Sequence, residues 1–205
     1  DSSKAIGIGT VYEGDFWDFY QGKAVPERSL PVGSVLTIAA AGSEGSCGSV
    51  ITQEDGMYKR PCDCEIMRPV FAIMDPELTM TLPPYQTASG CTDIMAHVFE
   101  RYFTNTKHVE ITDRLCGGIL KTIVKELPKV LENPNDYEAR ANIMWAGTLA
   151  HNGVLGQGRE EDWGSHGIEH ELSAIYDIAH GAGLSIVFHA WMKYVYRENI
   201  GKFLQ

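Results

Sequence analysis

Apolar residues follow two rhythms along this chain. Up to residue 84 they come in short runs between glycine-rich stretches, and Val32–Ala39, Ser49–Gln53 and Val70–Met74 each have the length and branching of a buried or half-buried strand. Glu54-Asp55-Gly56 reads as a turn. After Pro83-Pro84 the spacing becomes helical and predicts five helices, over 84–104, 108–131, 135–155, 164–176 and 180–205. Pro84 suits a first helical turn, where its missing N–H is no loss. Asn135-Asp136 supplies an N-cap, and Pro128 is expected to bend or end the second helix. The pattern predicts part of an α/β domain over 1–84 and a mainly helical domain over 85–205, with a cleft between them. The first ten residues read as a chain that starts inside a helix, and the last ten as an interrupted one.

Composition narrows the class. At 44% hydrophobic and 21% charged residues the chain has the make-up of an ordinary globular protein. No run approaches the roughly 18–20 apolar residues of a membrane span, so no membrane partner is expected. A net charge of −10, with 17 basic residues scattered, repels a phosphate backbone and argues against nucleic acid. Five cysteines, an odd number without repeated spacing, fit a reduced, cytoplasmic setting. Cys62-Asp63-Cys64 lacks the second cysteine pair that a thiolate zinc cage needs, and reads as ordinary loop thiols.

The chemistry lies in histidines. Asp93 and His97 stand four apart, on one face of a predicted helix and about 5–6 Å apart at Cβ. Taken alone, a hydrogen-bonded core pair explains them. His166 and His170 repeat the spacing, and His180 follows ten residues later among small residues. Three such histidines with a carboxylate suit Zn²⁺ or Fe²⁺. His108, His151 and His189 show no partnered spacing and read as structural. A rival is the H-x-x-E-H pattern of inverted zinc peptidases, with His166 and His170 on zinc and Glu169 activating water. It leaves Asp93, His97 and His180 without a role. A third reading is a metal-binding remnant without turnover.

The order Asp-x-x-x-His, then His-x-x-x-His-x₉-His about 70 positions on, resembles the iron-containing (group III) alcohol dehydrogenase family. The runs Val35–Glu44, Asp75–Pro83 and Ala139–Ala146 resemble it too, nearest to its butanol-dehydrogenase and broad-range aldehyde-reductase branch. The resemblance implies the remainder of a Rossmann-like nucleotide-binding domain followed by a helical metal-binding domain, a dehydroquinate-synthase-like architecture. It implies Asp93, His97, His166 and His180 as ligands of Fe²⁺ or Zn²⁺, and His170 as a proton-relaying histidine near the nicotinamide. Spacing does not choose His180 over His170; that choice rests on the resemblance. Thr37, Ala41, Ser46, Lys59 and Leu78 align with positions lining NAD or NADP, Ala41 replacing a common Thr and its hydroxyl. The implied reaction is reversible hydride transfer between short-chain primary alcohols or aldehydes and NAD(P), in a homo-oligomer, a dimer in the simplest case. Asp1 resembles the end of a Gly-Gly-Gly-Ser-x-x-Asp pyrophosphate loop. The expected whole protein then extends beyond both ends of these 205 residues.

Overall fold

The computed structural model describes residues 1–204. Helix α1 (Ser2–Gly9) buries Ala5 and Ile8 against Trp17, Phe19 and Tyr20, of which Trp17 and Tyr20 bracket the one-turn helix α2 (Trp17–Tyr20), and against Cys62 and Met67. Lys4, 2% exposed, donates from Nζ to the carbonyls of Ser46 (2.9 Å) and Gly48 (2.8 Å), which pins α1 to the loop beneath it.

Four strands follow. β1 (Gly33–Val35) pairs in parallel with β4 (Phe71–Ile73), Gly33 opposite Phe71 and Val35 opposite Ile73. β2 (Gly48–Gln53) and β3 (Tyr58–Asp63) form an antiparallel hairpin, Gly48 opposite Asp63 and Gln53 opposite Tyr58. The predicted strand Val32–Ala39 is real only over three residues. Beyond Leu36 the chain bends through Thr37–Ala41 toward the helices. β3 is absent from the predicted strands because Tyr58-Lys59-Arg60-Pro61 is polar and carries a proline. A proline fits only where a strand need not donate at that position, and a two-stranded ribbon offers such places. Cys62 and Asp63 therefore belong to a strand and not to a loop. The predicted turn is present, with Gly56 at φ 89° and Met57 at φ 54°.

Pro84 opens α3 (Pro84–Tyr102), the longest buried element: Cys91, Asp93, Ile94, Ala96, His97, Val98, Glu100 and Arg101 are all inaccessible. A helix buried nearly all round must be packed on several sides. On one side Cys91, Ile94, Val98 and Tyr102 meet Cys116, Ile119, Ile123 and Val130 of α4 (Glu110–Glu132). The same cluster takes in Ala139, Ile143, Ala146 and Ala150 of α5 (Tyr137–His151). α6 (Gly164–Tyr176) follows, and then α7 (His180–Val195), whose Leu184 and Phe188 pack on Ala96 from the other side. A one-turn helix, α8 (Ile200–Phe203), comes last, so the predicted helix 180–205 stops at Val195.

Local signals explain some ends. Asp136 caps α5 by accepting from Ala139 N–H at 3.0 Å. Pro128 does not end α4. The helix runs on to Glu132, because buried Ile123 and Val130 on either side hold the turn despite the missing backbone bond. Gly181 permits the α3–α7 contact, since a Cβ there would run into the Ser89 carbonyl. The result is a mostly helical molecule with two small sheets, the β2–β3 hairpin standing beside the open face of α6.

Candidate metal centre

Three helices bring their polar residues to one point. α3 contributes Asp93 and His97, the first two turns of α6 contribute His166 and His170, and the first residue of α7 is His180. Asp93 Oδ1 is the focus: His97 Nδ1 lies 3.6 Å from it, His166 Nε2 3.7 Å and His180 Nε2 3.7 Å. Ligand atoms of Asp93, His166 and His180 all fall within 4.8 Å of one another, while His97 lies outside that group. Asp93 Oδ1, His97 Nδ1 and His166 Nε2 are buried and have no hydrogen-bond partner. Buried polar atoms are nearly always satisfied, so three orphans converging on one spot mark a place built for something else. A carboxylate oxygen and imidazole nitrogens are the donor set of a divalent transition metal, and these residues fit one.

Two buried glutamates back the histidines of the cluster. Glu100 Oε1 accepts from the His166 backbone N–H at 2.9 Å and lies 2.8 Å from His166 Nδ1. It thereby also satisfies one of the free N–H groups at the start of α6. Glu169 Oε2 is hydrogen-bonded to His180 Nδ1. Lys59 reaches in from β3, donating to Ser173 Oγ at 2.7 Å and lying 3.8 Å from Glu169 Oε2.

Burial sets the electrostatics. It pushes His97 well below the ordinary imidazole range, with His151 and His166 adding repulsion. Burial also depresses His170, together with the Lys59 charge, to about 3, so it is neutral at physiological pH. His166 behaves differently: burial opposes its charge, but the Asp93 and Glu100 carboxylates outweigh that and raise its pKa. Lys59 is lowered by burial, with Glu169 pulling partly the other way.

The cluster forms the end of a cavity of about 580 Å³. Of the residues singled out in the sequence, Asp1, Ala41, Ser46, Lys59, His97, His166, His170 and His180 line it, and Asp93 lies behind the histidines, outside the lining. Thr37 and Leu78 do not; both are exposed, Leu78 on a 3-10 turn at Pro76–Thr79. Ser46 is buried and already accepts from Lys4. Three participants were missed in the sequence. His151 packs against His97 with ring centroids 4.2 Å apart and planes tilted by 41°, and takes Arg101 Nη2 at 3.3 Å on Nδ1. Trp163 lies edge-on to both His97 and His166, with the Arg101 guanidinium over its face. Glu100 sits one helical turn beyond His97, a spacing that a search for carboxylates on the ligand face would have found.

The arrangement required by the peptidase reading does not assemble. His166 groups with Asp93 and His180, whereas His170 groups with Glu169 and His180, and the Glu169 carboxylate is engaged by the His180 ring. No helix among the described residues is long and apolar enough to cross a membrane.

The chain is similar to known proteins along nearly its whole length. Residues 87–205 match the model of the Fe-containing alcohol dehydrogenase family, C-terminal, and residues 1–76 that of iron-containing alcohol dehydrogenase. The chain is 45% identical over 203 residues to a probable NADH-dependent butanol dehydrogenase 2 of Bacillus subtilis, covering 99% of this chain and 52% of that protein. It is 39% identical over 202 residues to the NADPH-dependent aldehyde reductase YqhD of Escherichia coli, covering 91% of this chain and 52% of the relative. The crystal structure of an NADH-dependent butanol dehydrogenase A from Thermotoga maritima superposes with a TM-score of 0.96 at 46% identity, over 98% of this chain and 51% of that one. The chain thus spans about half the length of these relatives. Over that span it belongs to the iron-containing alcohol dehydrogenase family.

Proposed function

We propose that this chain carries the metal centre of an NAD(P)-linked alcohol dehydrogenase or aldehyde reductase acting on short-chain primary alcohols and aldehydes. The observation that carries the proposal is the convergence of unpartnered Asp93 Oδ1 and His166 Nε2 with His180 Nε2 at one end of a cavity that His170 and Lys59 also line. Relatives named as butanol dehydrogenases and aldehyde reductases support the same reading. Asp93, His166 and His180 would hold Fe²⁺ or Zn²⁺, with His97 Nδ1 as the fourth donor. A divalent ion in that place acts as a Lewis acid on a substrate oxygen. A nicotinamide cofactor, when bound, supplies the hydride chemistry.

The chain's own residues supply position and proton handling. Ala41, Ser46 and Lys59 form the wall along which the cofactor would lie, and Thr37 and Leu78 are proposed contacts nearer the exterior. Trp163 and His151 close the buried side and keep water from the reacting oxygen. His170, neutral and inside the cavity, is suited to pass a proton from one ring nitrogen to the other without resting as imidazolium. Its depressed pKa makes it a poor proton store and permits a relay.

Crystals of the metal-loaded protein, measured at the iron and zinc absorption edges, test the reading. The expected result is one anomalous peak bounded by Asp93, His166 and His180. A peak held by His166 and His170, with Glu169 turned to its water, would replace this proposal with the hydrolase.

A further inference from the structure

Two carboxylates at this centre have no assigned work. Glu100 is 2% exposed and Glu169 is not exposed at all. A buried carboxylate is costly unless it is paired and hydrogen-bonded, so two beside one cluster need a reason. Neither belongs to the Asp93–His166–His180 group whose atoms converge. Each sits behind a histidine instead, Glu100 on His166 Nδ1 and Glu169 on His180 Nδ1. The ring nitrogens left over, both Nε2, are the ones 3.7 Å from Asp93 Oδ1.

Resting on the metal-site reading above, we infer that Glu100 and Glu169 are positioning residues: each takes the Nδ1–H of its histidine, so that His166 and His180 present bare Nε2 atoms to the ion. The chemistry requires it. A neutral imidazole has one N–H and one lone pair, and an acceptor fixed on Nδ1 leaves the lone pair at Nε2. A carboxylate acceptor also turns the ring and makes the ligand nitrogen more basic.

The surroundings are shaped for these two acids. Gly183 of α7 lies against Glu169, where a Cβ would stand 2.6 Å from Oε1 and 2.9 Å from Cγ, so only glycine leaves room for this carboxylate. Glu100 holds two groups of His166 at once, ring and backbone, and so ties the ring's position to the start of α6. Formal charge agrees as well. Asp93, Glu100 and Glu169 against the Lys59 ammonium leave two negative charges, which one divalent cation balances.

The test uses zinc as a diamagnetic probe. Proton–nitrogen correlation spectra of ¹⁵N-histidine-labelled, zinc-loaded wild-type protein should place the ring proton of His166 and of His180 on Nδ1, protected from solvent exchange. Glu100→Gln and Glu169→Gln should each loosen zinc by about 10–100-fold in a chelator competition. A merely structural role would lower the unfolding temperature of the variants and leave zinc affinity unchanged, which would overturn the inference. A ring proton on Nε2 in the wild-type spectrum would overturn it equally, and that measurement stands even where a variant fails to fold. If zinc perturbs neither histidine, the metal-site reading itself is lost, and the inference with it.

Discussion

The helical side and the strand side of the cavity are built by different rules. On the helical side the functional groups are buried and held from behind, His166 by Glu100, His180 by Glu169, and Arg101 by the His97 and Ala150 carbonyls with Glu161 and the Trp163 face, while Asp93 Oδ1, His97 Nδ1 and His166 Nε2 converge without partners. On the strand side the wall is the two-stranded β2–β3 hairpin, half-buried at Val50, Lys59 and Arg60 and exposed at Pro61, and Ala41 stands exposed on an irregular bend. A network of buried polar groups is intolerant, because removing one member strands those that depend on it. An exposed bend carries no such debt. Changes on the helical wall should therefore act in an all-or-none manner and changes on the strand wall in small steps.

The largest expected effect is at Asp93. Asp93→Ala removes the atom that His97, His166 and His180 all approach within 3.6–3.7 Å. Bound metal should fall below detection after gel filtration, measured by elemental analysis, with activity lost in parallel. Retained stoichiometric metal would mean that the centre is organised around a different donor.

Next comes His170→Ala. His170 lines the cavity but stands outside the Asp93 group. The variant should keep its metal and lose turnover by about 10²-fold, the usual contribution of a positioned proton-transfer group. Elemental analysis beside steady-state rates separates the two quantities. Metal loss here, with normal retention on substituting His180, would exchange their roles.

A smaller effect is expected from Gly181→Ala, which tests whether the helical wall is as tightly fitted as its contacts imply. The added methyl meets the Ser89 carbonyl where α7 crosses α3, one residue after His180. Overpacking of this kind destabilises by about 1–3 kcal/mol. Urea denaturation should show the loss, and metal affinity should weaken with it because His180 moves with the helix start. A wild-type stability curve would show that the two helices part easily.

How much of this was readable in the sequence follows the same division. Asp93 and His97, and likewise His166 and His170, lie within single helices, where a spacing of four residues is itself a statement about space. Asp136 and Pro84 announced their helix starts for the same local reason. The pairing of the carboxylates with their histidines was not legible: Glu100's place on the ligand face follows from its spacing to His97, but its reach to His166 crosses the packing of two helices, and sequence distance says nothing of that. Glu169 looked like the water-activating member of a peptidase motif; only the fold turns it toward His180. Between His170 and His180 the spacing left the ligand open, and the resemblance to a family made the choice. β3 was hidden by Pro61 and by charged residues that face the cavity, Lys59 among them, so a functional surface disguised a strand. α4 ran past Pro128 because tertiary packing outweighed one missing hydrogen bond. Thr37 and Leu78 were singled out by alignment alone, and neither reaches the cavity wall.

The smallest expected effect is also the sharpest test of the strand wall. Ala41 lines the cavity from the bend that follows β1 and is exposed. Ala41→Thr adds a hydroxyl without burying it and without displacing any packed group, so the fold should not change. If the cofactor runs along this wall, the hydroxyl gains one hydrogen bond, worth about 1 kcal/mol net, or roughly fivefold in affinity. Titration calorimetry with NAD⁺ and NADP⁺, on the metal-loaded protein in wild-type and variant forms, measures it directly. A gain of that order with unchanged metal content would establish that cofactor affinity is tuned on the strand side independently of the metal centre. Loss of metal in this variant would instead show the two walls to be coupled, the loop at Ala41 bearing on the centre through Ser46, Lys4 and the start of β2. An unchanged affinity for both nucleotides would place the cofactor away from Ala41 and leave Lys59 as the wall's nearest candidate contact.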